Sequence, residues 1–206
     1  WNKLVVAPIW MRDRFLHQIE MEREYALKGR KARIVAKMNS LCDRDIIAAL
    51  YAASAAGVKI DLIVRGICCL KVGIPGISDN ITVRSIVGNF LEHSRIFYFY
   101  SDGREEVFMG SADWMPRNLD KRVEIVFPVE DERLKEEVKH ILEIQLADNV
   151  KAHVLQPDGR YEKIDKRGKV LLNSQDYFCE EAWENARLPE SSVDKRVFIP
   201  AEAPED

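Results

Sequence analysis

Net charge is what this 206-residue chain has least of: 31 Lys and Arg stand against 34 Asp and Glu, a formal charge of −3. Broad electrostatic attraction to nucleic acid needs a strongly basic domain, so no nucleic-acid partner is expected and any anion site must be local. Long apolar runs are missing as well, and none approaches the roughly 20 residues of a membrane span. Only four cysteines occur, Cys42, Cys68, Cys69 and Cys179, with no C-x-x-C spacing among them. That pattern supports neither a zinc site nor a disulfide framework and points to buried, reduced thiols in a cytoplasmic protein. No metal ligand is assigned, and peripheral membrane association is left open. Repeats, low-complexity blocks and a signal peptide are also lacking, and the chain opens on Trp1 rather than Met, which leads us to expect a piece of a longer protein.

What is there is a chain 47% hydrophobic, enough for one sizeable core. Runs rich in β-branched residues alternate with amphipathic stretches, the pattern of an α/β fold. Strands are expected over Lys3–Pro8, Ala32–Met38, Val58–Val64, Ile81–Val87 and Lys121–Val129. Arg95–Tyr100 and Glu105–Met109 read as a hairpin turning at Ser101–Arg104. Helices are expected over Arg12–Lys28, over Ile46–Ala56 behind a cap at Asp43 or Asp45, and over Asp131–Leu146, with a short helical turn at Asn89–Glu92. Strand, helix and strand across residues 32–64 predict a parallel pair. Arg65–Asn80, with Gly66, Gly73, Pro75 and Gly76, reads as a functional loop. Residues 1–149 are taken as one domain. Residues 150–206 are taken as an extension with a strand at Lys151–Leu155, a helix at Tyr177–Asn185 and a loose tail from Pro189.

The chemistry concentrates around one histidine. His93 lies in Phe90-Leu91-Glu92-His93-Ser94-Arg95, ahead of Gly110-Ser111-Ala112-Asp113-Trp114 and of Arg117-Asn118-Leu119-Asp120-Lys121-Arg122. Imidazole carries protons or attacks phosphorus near neutral pH, and guanidinium groups clamp phosphoryl oxygens in bidentate fashion. If a strand begins near His93, His93 and Arg95 share a face. Arg65 closes an apolar strand, where parallel sheets collect their ligands, and Lys37 and Asn39 occupy the equivalent end of the preceding strand. Arg122 is expected to start a strand, with Arg117 and Lys121 in the loop before it. A salt-bridged surface cluster with Asp113, Asp120 and Glu124 is the plainer reading of that basic run. His17, His140 and His153 read as structural.

The order His93-x-Arg95, then Gly110-Ser111-x-Asp113, is similar to the His-x-Lys … Gly-Ser-x-Asn signature of the phospholipase D superfamily, with arginine for lysine, aspartate for asparagine and stretched spacing. Over a longer span, Ile34–Leu41, Gly57–Leu70, Phe90–Arg95 and Gly110–Met115 resemble the C-terminal region of bacterial polyphosphate kinase. The resemblance implies a phospholipase D-like α/β domain, a mixed and mostly parallel sheet flanked by helices, and the last of several domains. It implies reversible transfer of the terminal phosphate of ATP to inorganic polyphosphate with Mg²⁺, through a phosphohistidine in an upstream domain of the same chain. On that resemblance Arg65 and His93 contact ATP, His93 pairs with the phosphorylated histidine as acid or base, and Arg122 matches a further phosphate contact. The magnesium ligands are expected outside this stretch, and the fragment alone is expected to be inactive. A homo-oligomer is left open. The rivals are a phospholipase D-type phosphodiesterase and a non-catalytic polyanion-binding module.

Overall fold

The computed structural model describes residues 3–187; the tail expected from Pro189 lies outside the described residues. Strands β1 (Val5–Ala7), β2 (Arg33–Met38), β3 (Lys59–Val64), β4 (Ile81–Ile86), β5 (Arg95–Phe99), β6 (Glu106–Gly110), β7 (Glu124–Pro128), β8 (Ala152–Leu155) and β9 (Tyr161–Lys163) form one sheet in the order β1-β7-β6-β5-β2-β3-β4-β8-β9. Helices α1 (Met11–Leu27), α2 (Arg44–Ala55), α3 (Pro116–Lys121), α4 (Glu132–Ala147) and α5 (Ser174–Arg187) complete it.

Period-two alternation divides the core between the two faces. Ile34, Ala36 and Met38 of β2, Ile60, Leu62 and Val64 of β3, and Phe97 and Phe99 of β5 turn toward α1 and α2, meeting Phe15, Ile19, Ile46 and Leu50. Val35, Ile63, Ile96 and Tyr98 turn the other way, onto Val138 and Leu142 of α4. Helix α1 buries Met11, Phe15, Gln18, Ile19 and Glu22, a stripe at helical spacing. Asp43, rather than Asp45, caps α2: its Oδ1 accepts the Ile46 N–H at 3.1 Å, satisfying a donor the helix itself leaves unpaired.

The expected parallel pair is present, β2 beside β3, and β4 extends it in parallel. The sheet is mixed, but not mostly parallel. Among the described residues the six other ladders are antiparallel. The reason is connection length. Residues 39–58, through α2, and 65–80 return a strand in the same direction beside its predecessor, whereas β5 and β6 are joined by a tight turn and α3 leads β6 back antiparallel into β7. Strands β8 and β9, from the stretch read as an extension, continue the same sheet beyond β4. The helical turn expected at Asn89–Glu92 is absent, and the segment is irregular. Cys69 and Cys179 are exposed rather than buried, and all four thiols are free.

Candidate active site

Strand order determines where the chemistry collects. Strand β4 ends, and β5 begins, at the edge of the sheet where β2, β3 and β6 also end. Strands β3 and β2 lie between β4 and β5, so residues 87–94 must bridge three inter-strand steps, about 14 Å at ~4.8 Å each. They therefore pass over the ends of β3 and β2, where Arg65 and Asn39 stand. His93 rides on that bridge. It precedes β5 rather than lying in it, so the shared strand face expected for His93 and Arg95 does not exist.

A chain of polar contacts ties the strand ends together through Asp113. Its Oδ1 accepts the Asn39 backbone N–H at 2.8 Å, the Asn39 amide at 3.3 Å and Arg95 Nε at 3.0 Å. Asn39 in turn accepts Arg65 Nε on its Oδ1 at 2.9 Å. The Asp113 N–H donates to Asn118 of α3 at 3.0 Å, and Asn118 Nδ2 donates to Glu124 at the start of β7 at 3.3 Å. Asn39, Asp113 and Asn118 are all buried. Five strands are thus joined at one edge by side chains that an apolar sheet alone would not align. Gly110 allows this crowding: a Cβ there would stand 2.3 Å from the Ile125 carbonyl oxygen.

The expected site residues divide into two groups. His93 is exposed, and Arg65 presents its guanidinium from a half-buried position, with only its Nε spent on Asn39. Arg122 is half-exposed and loosely paired with Glu124 at 3.9 Å. It sits at the C-terminal end of α3, not in a strand, and Arg117 and Lys121 belong to that helix rather than to a loop. Pro116 at the first helical position accounts for this, since its fixed φ starts a helix. Arg117, Lys121 and Arg122 with Pro116 line a depression of about 470 Å³. The plainer reading of the basic run holds in part: Arg122 meets Glu124, but Asp120 is taken by Arg12 and Asp113 by Arg95.

Arg95 and Lys37 differ from expectation. Arg95 spends Nε and Nη2 on Asp113 and donates from Nη1 to the His93 carbonyl at 2.9 Å. Lys37 is 1% exposed. Its ammonium donates to Ser94 Oγ at 2.8 Å and Ser94 O at 3.2 Å, and faces Glu92 at 3.4 Å. Both cations hold the segment carrying His93 through these contacts. Burial pushes the Lys37 ammonium below its ordinary range; Glu92 opposes that shift, and Arg95 and Arg65 add to it. Asn118 and Glu92 were not singled out from the sequence, and Asp113 was named only as the aspartate of the signature and as a partner in the surface cluster. The signal available for them was their place inside the quoted motifs, beside arginines needing counterions.

Residues 4–175 match the family described as polyphosphate kinase C-terminal domain 2. The polyphosphate kinase of Synechocystis sp. is 60% identical over 161 residues, covering 78% of this chain and 22% of that protein. The crystal structure of polyphosphate kinase from Porphyromonas gingivalis superposes with a TM-score of 0.84 at 42% identity, covering 89% of this chain and 28% of that one. The phospholipase D family member Nuc from Salmonella typhimurium has a TM-score of 0.51 at 19% identity over 78% of this chain and 97% of its own, a likeness of fold alone. The chain therefore spans about a quarter of the length of the polyphosphate kinases it matches. With the family model covering most of its length, and with strand ends gathering arginines around an exposed histidine, the chain belongs to the polyphosphate kinase family.

Proposed function

We propose that this chain supplies one wall of the site where a polyphosphate kinase reversibly moves the terminal phosphate of ATP onto inorganic polyphosphate. The observation that carries the reading is the placement, along one edge of the sheet, of exposed His93 with Arg65 and Arg122, each of which keeps part of its guanidinium unpaired. Phosphoryl transfer needs positioning and charge stabilisation over three equatorial oxygens more than elaborate covalent chemistry. Arg65 and Arg122 would bind those oxygens, and His93 would hold or yield a proton at the reacting phosphate. The phosphohistidine that receives the phosphate is proposed to lie in an upstream domain, so that neither part transfers phosphate alone.

Mg²⁺ fits this chain poorly. Among the described residues no group of three or more His, Cys, Asp or Glu side chains converges as a metal site. The nearest carboxylates are committed, Asp113 to Arg95 and Asn39, and Glu92 to Lys37, Gln145 and Gln175. Its ligands are proposed to come from other domains, and no step here is assigned to it. A phosphodiesterase reading is disfavoured by Arg95, which stands where the phospholipase D signature has lysine and is turned onto Asp113. No helix among the described residues is long and apolar enough to cross a membrane; a cytoplasmic location is part of the proposal.

The test is transfer of labelled γ-phosphate from ATP to polyphosphate with Mg²⁺. It compares the chain alone, the chain joined to its upstream domains, and the joined His93→Ala form. Transfer only by the joined wild type supports the reading. Diester hydrolysis without kinase activity would overturn it.

A further inference from the structure

The segment that carries His93 has almost no apolar anchorage of its own. Phe90 is 59% exposed and Leu91 68% exposed, so burial of these side chains does not hold the bridge in place. Polar clamps do. At its C-terminal end Arg95 grips the His93 carbonyl and Lys37 grips Ser94. At its N-terminal end the clamp comes from Gln175, in the first turn of α5 and far along the chain. Its Oε1 accepts the Phe90 N–H at 3.0 Å, and its Nε2 donates to the Phe90 carbonyl at 2.8 Å and to Glu92 Oε1 at 2.8 Å. The amide thus pairs with one residue's backbone as a neighbouring strand would.

Everything around Gln175 holds it in that pose. It is 4% exposed. Buried Asp148 anchors the start of α5 by accepting the Ser174 N–H at 2.8 Å and the Ser174 hydroxyl at 2.7 Å. Glu92 passes the restraint onward, accepting Gln145 of α4 at 2.8 Å and facing Lys37 at 3.4 Å. Gly88 makes room, because a Cβ there would lie 2.3 Å from Gln175 Oε1. An amide that satisfies both backbone groups of an otherwise exposed segment, and the carboxylate next to the histidine, is placed to govern where that histidine sits.

We propose that Gln175 is a positioning residue of the kinase site, acting through the backbone of residues 88–94 to hold His93 at the reacting phosphate, and that the stretch after residue 149 is thereby part of the catalytic apparatus. The inference rests on the reading of His93 given above. Displacement of a reacting group by about 1 Å costs up to ~10²-fold in rate, whereas ATP contacts made by Arg65 are untouched. The loss is therefore expected in kcat and not in KM.

The experiment uses the full-length enzyme and the variants Gln175→Ala, Gly88→Ala and His93→Ala. Gly88→Ala pushes the Gln175 amide aside by its methyl group without altering α5, and so guards against a Gln175→Ala protein that does not fold. We expect both to lower kcat about 10- to 100-fold with KM for ATP within about threefold. Amide exchange should accelerate about tenfold or more over residues 88–94, with β2 and β3 as slow as in the wild type. Wild-type kcat in a variant whose 88–94 segment has loosened overturns the proposal. So does a segment that stays protected, or accelerated exchange throughout the sheet, which would mark a merely structural role. If His93→Ala turns over normally, the site reading fails and the inference with it. If His93→Ala is silent while Gln175→Ala is normal, only the inference fails.

Discussion

Removing the Asp113 carboxylate should be the most damaging single change at the site that spares every exposed residue. In Asp113→Ala, Arg95, whose side chain is 14% exposed, is left with no carboxylate, and the Asn39 N–H, paired at 2.8 Å in the wild type, loses its acceptor. Breaking a buried ion pair by deleting one partner costs about 3–5 kcal/mol, and an orphaned buried N–H about 1–3 kcal/mol. The two overlap, because Arg95 and Asn39 share Oδ1; we expect about 4 kcal/mol in total. With a urea m-value of about 2–3 kcal/mol/M for a chain of this size, the midpoint should fall by roughly 1.3–2 M, read by circular dichroism. The double variant Arg95→Met/Asp113→Leu should lose less than the sum of its singles by about 2 kcal/mol, since no unpaired charge remains. A midpoint shift under about 0.5 M, or strict additivity, would refute the view that Asp113 is the hub of the strand ends.

In the full-length enzyme, His93→Ala and Arg65→Ala should each reduce phosphate transfer by about 10³-fold, with the unfolding midpoint of His93→Ala within about 0.3 M urea of wild type and that of Arg65→Ala, which strips buried Asn39 of a donor, lower by about 0.5 M; near-normal turnover by either would unseat that residue. Phe97, wholly buried, has ring centroids 4.6 Å from Phe15 and 5.0 Å from Trp114, and Phe97→Ala should cost about 3–5 kcal/mol by denaturant titration. Glu22 is fully buried and accepts the backbone N–H groups of Arg33 and Ser101. Burial, the largest influence, pushes its carboxyl from 4.5 up to about 6 despite those hydrogen bonds. A raised folded-state value means the native protein binds more protons than the unfolded chain between pH 4.5 and 6. Glu22 therefore favours folding at low pH and loses on the order of 2 kcal/mol of that contribution as pH rises through the window. Unfolding titrations of wild type and Glu22→Gln across those pH values should differ by this slope; parallel profiles would contradict it.

How legible the fold was depended on how local its causes are. The Asp43 cap and the hairpin β5 and β6 follow from residues a few positions apart, and the parallel pair β2 and β3 from one strand–helix–strand unit over residues 33–64. The helical turn expected at Asn89–Glu92 did not form, because those backbone groups are claimed from elsewhere, Phe90 by Gln175 across 85 positions. Helix α5 begins at Ser174, earlier than the expected Tyr177, and the missed turn is the one that holds Gln175. Asn173, whose side chain accepts the Gln175 N–H at 3.2 Å, was the start signal available.

The sequence by itself determined the class of fold, the two layers of apolar residues and the short list of arginines and one histidine able to meet phosphate, because periodicity and side-chain chemistry are properties of neighbouring residues. Only the tertiary structure decided which of those cations are taken up by partners inside the protein. Arg65 and Arg122 each keep part of the guanidinium unpaired, while Arg95 turns onto Asp113 and Lys37 is sealed against Glu92 and Ser94. The deciding cause is strand order: it brings carboxylates from remote segments within reach of some cations and not others, and a buried cation must take the nearest counter-charge.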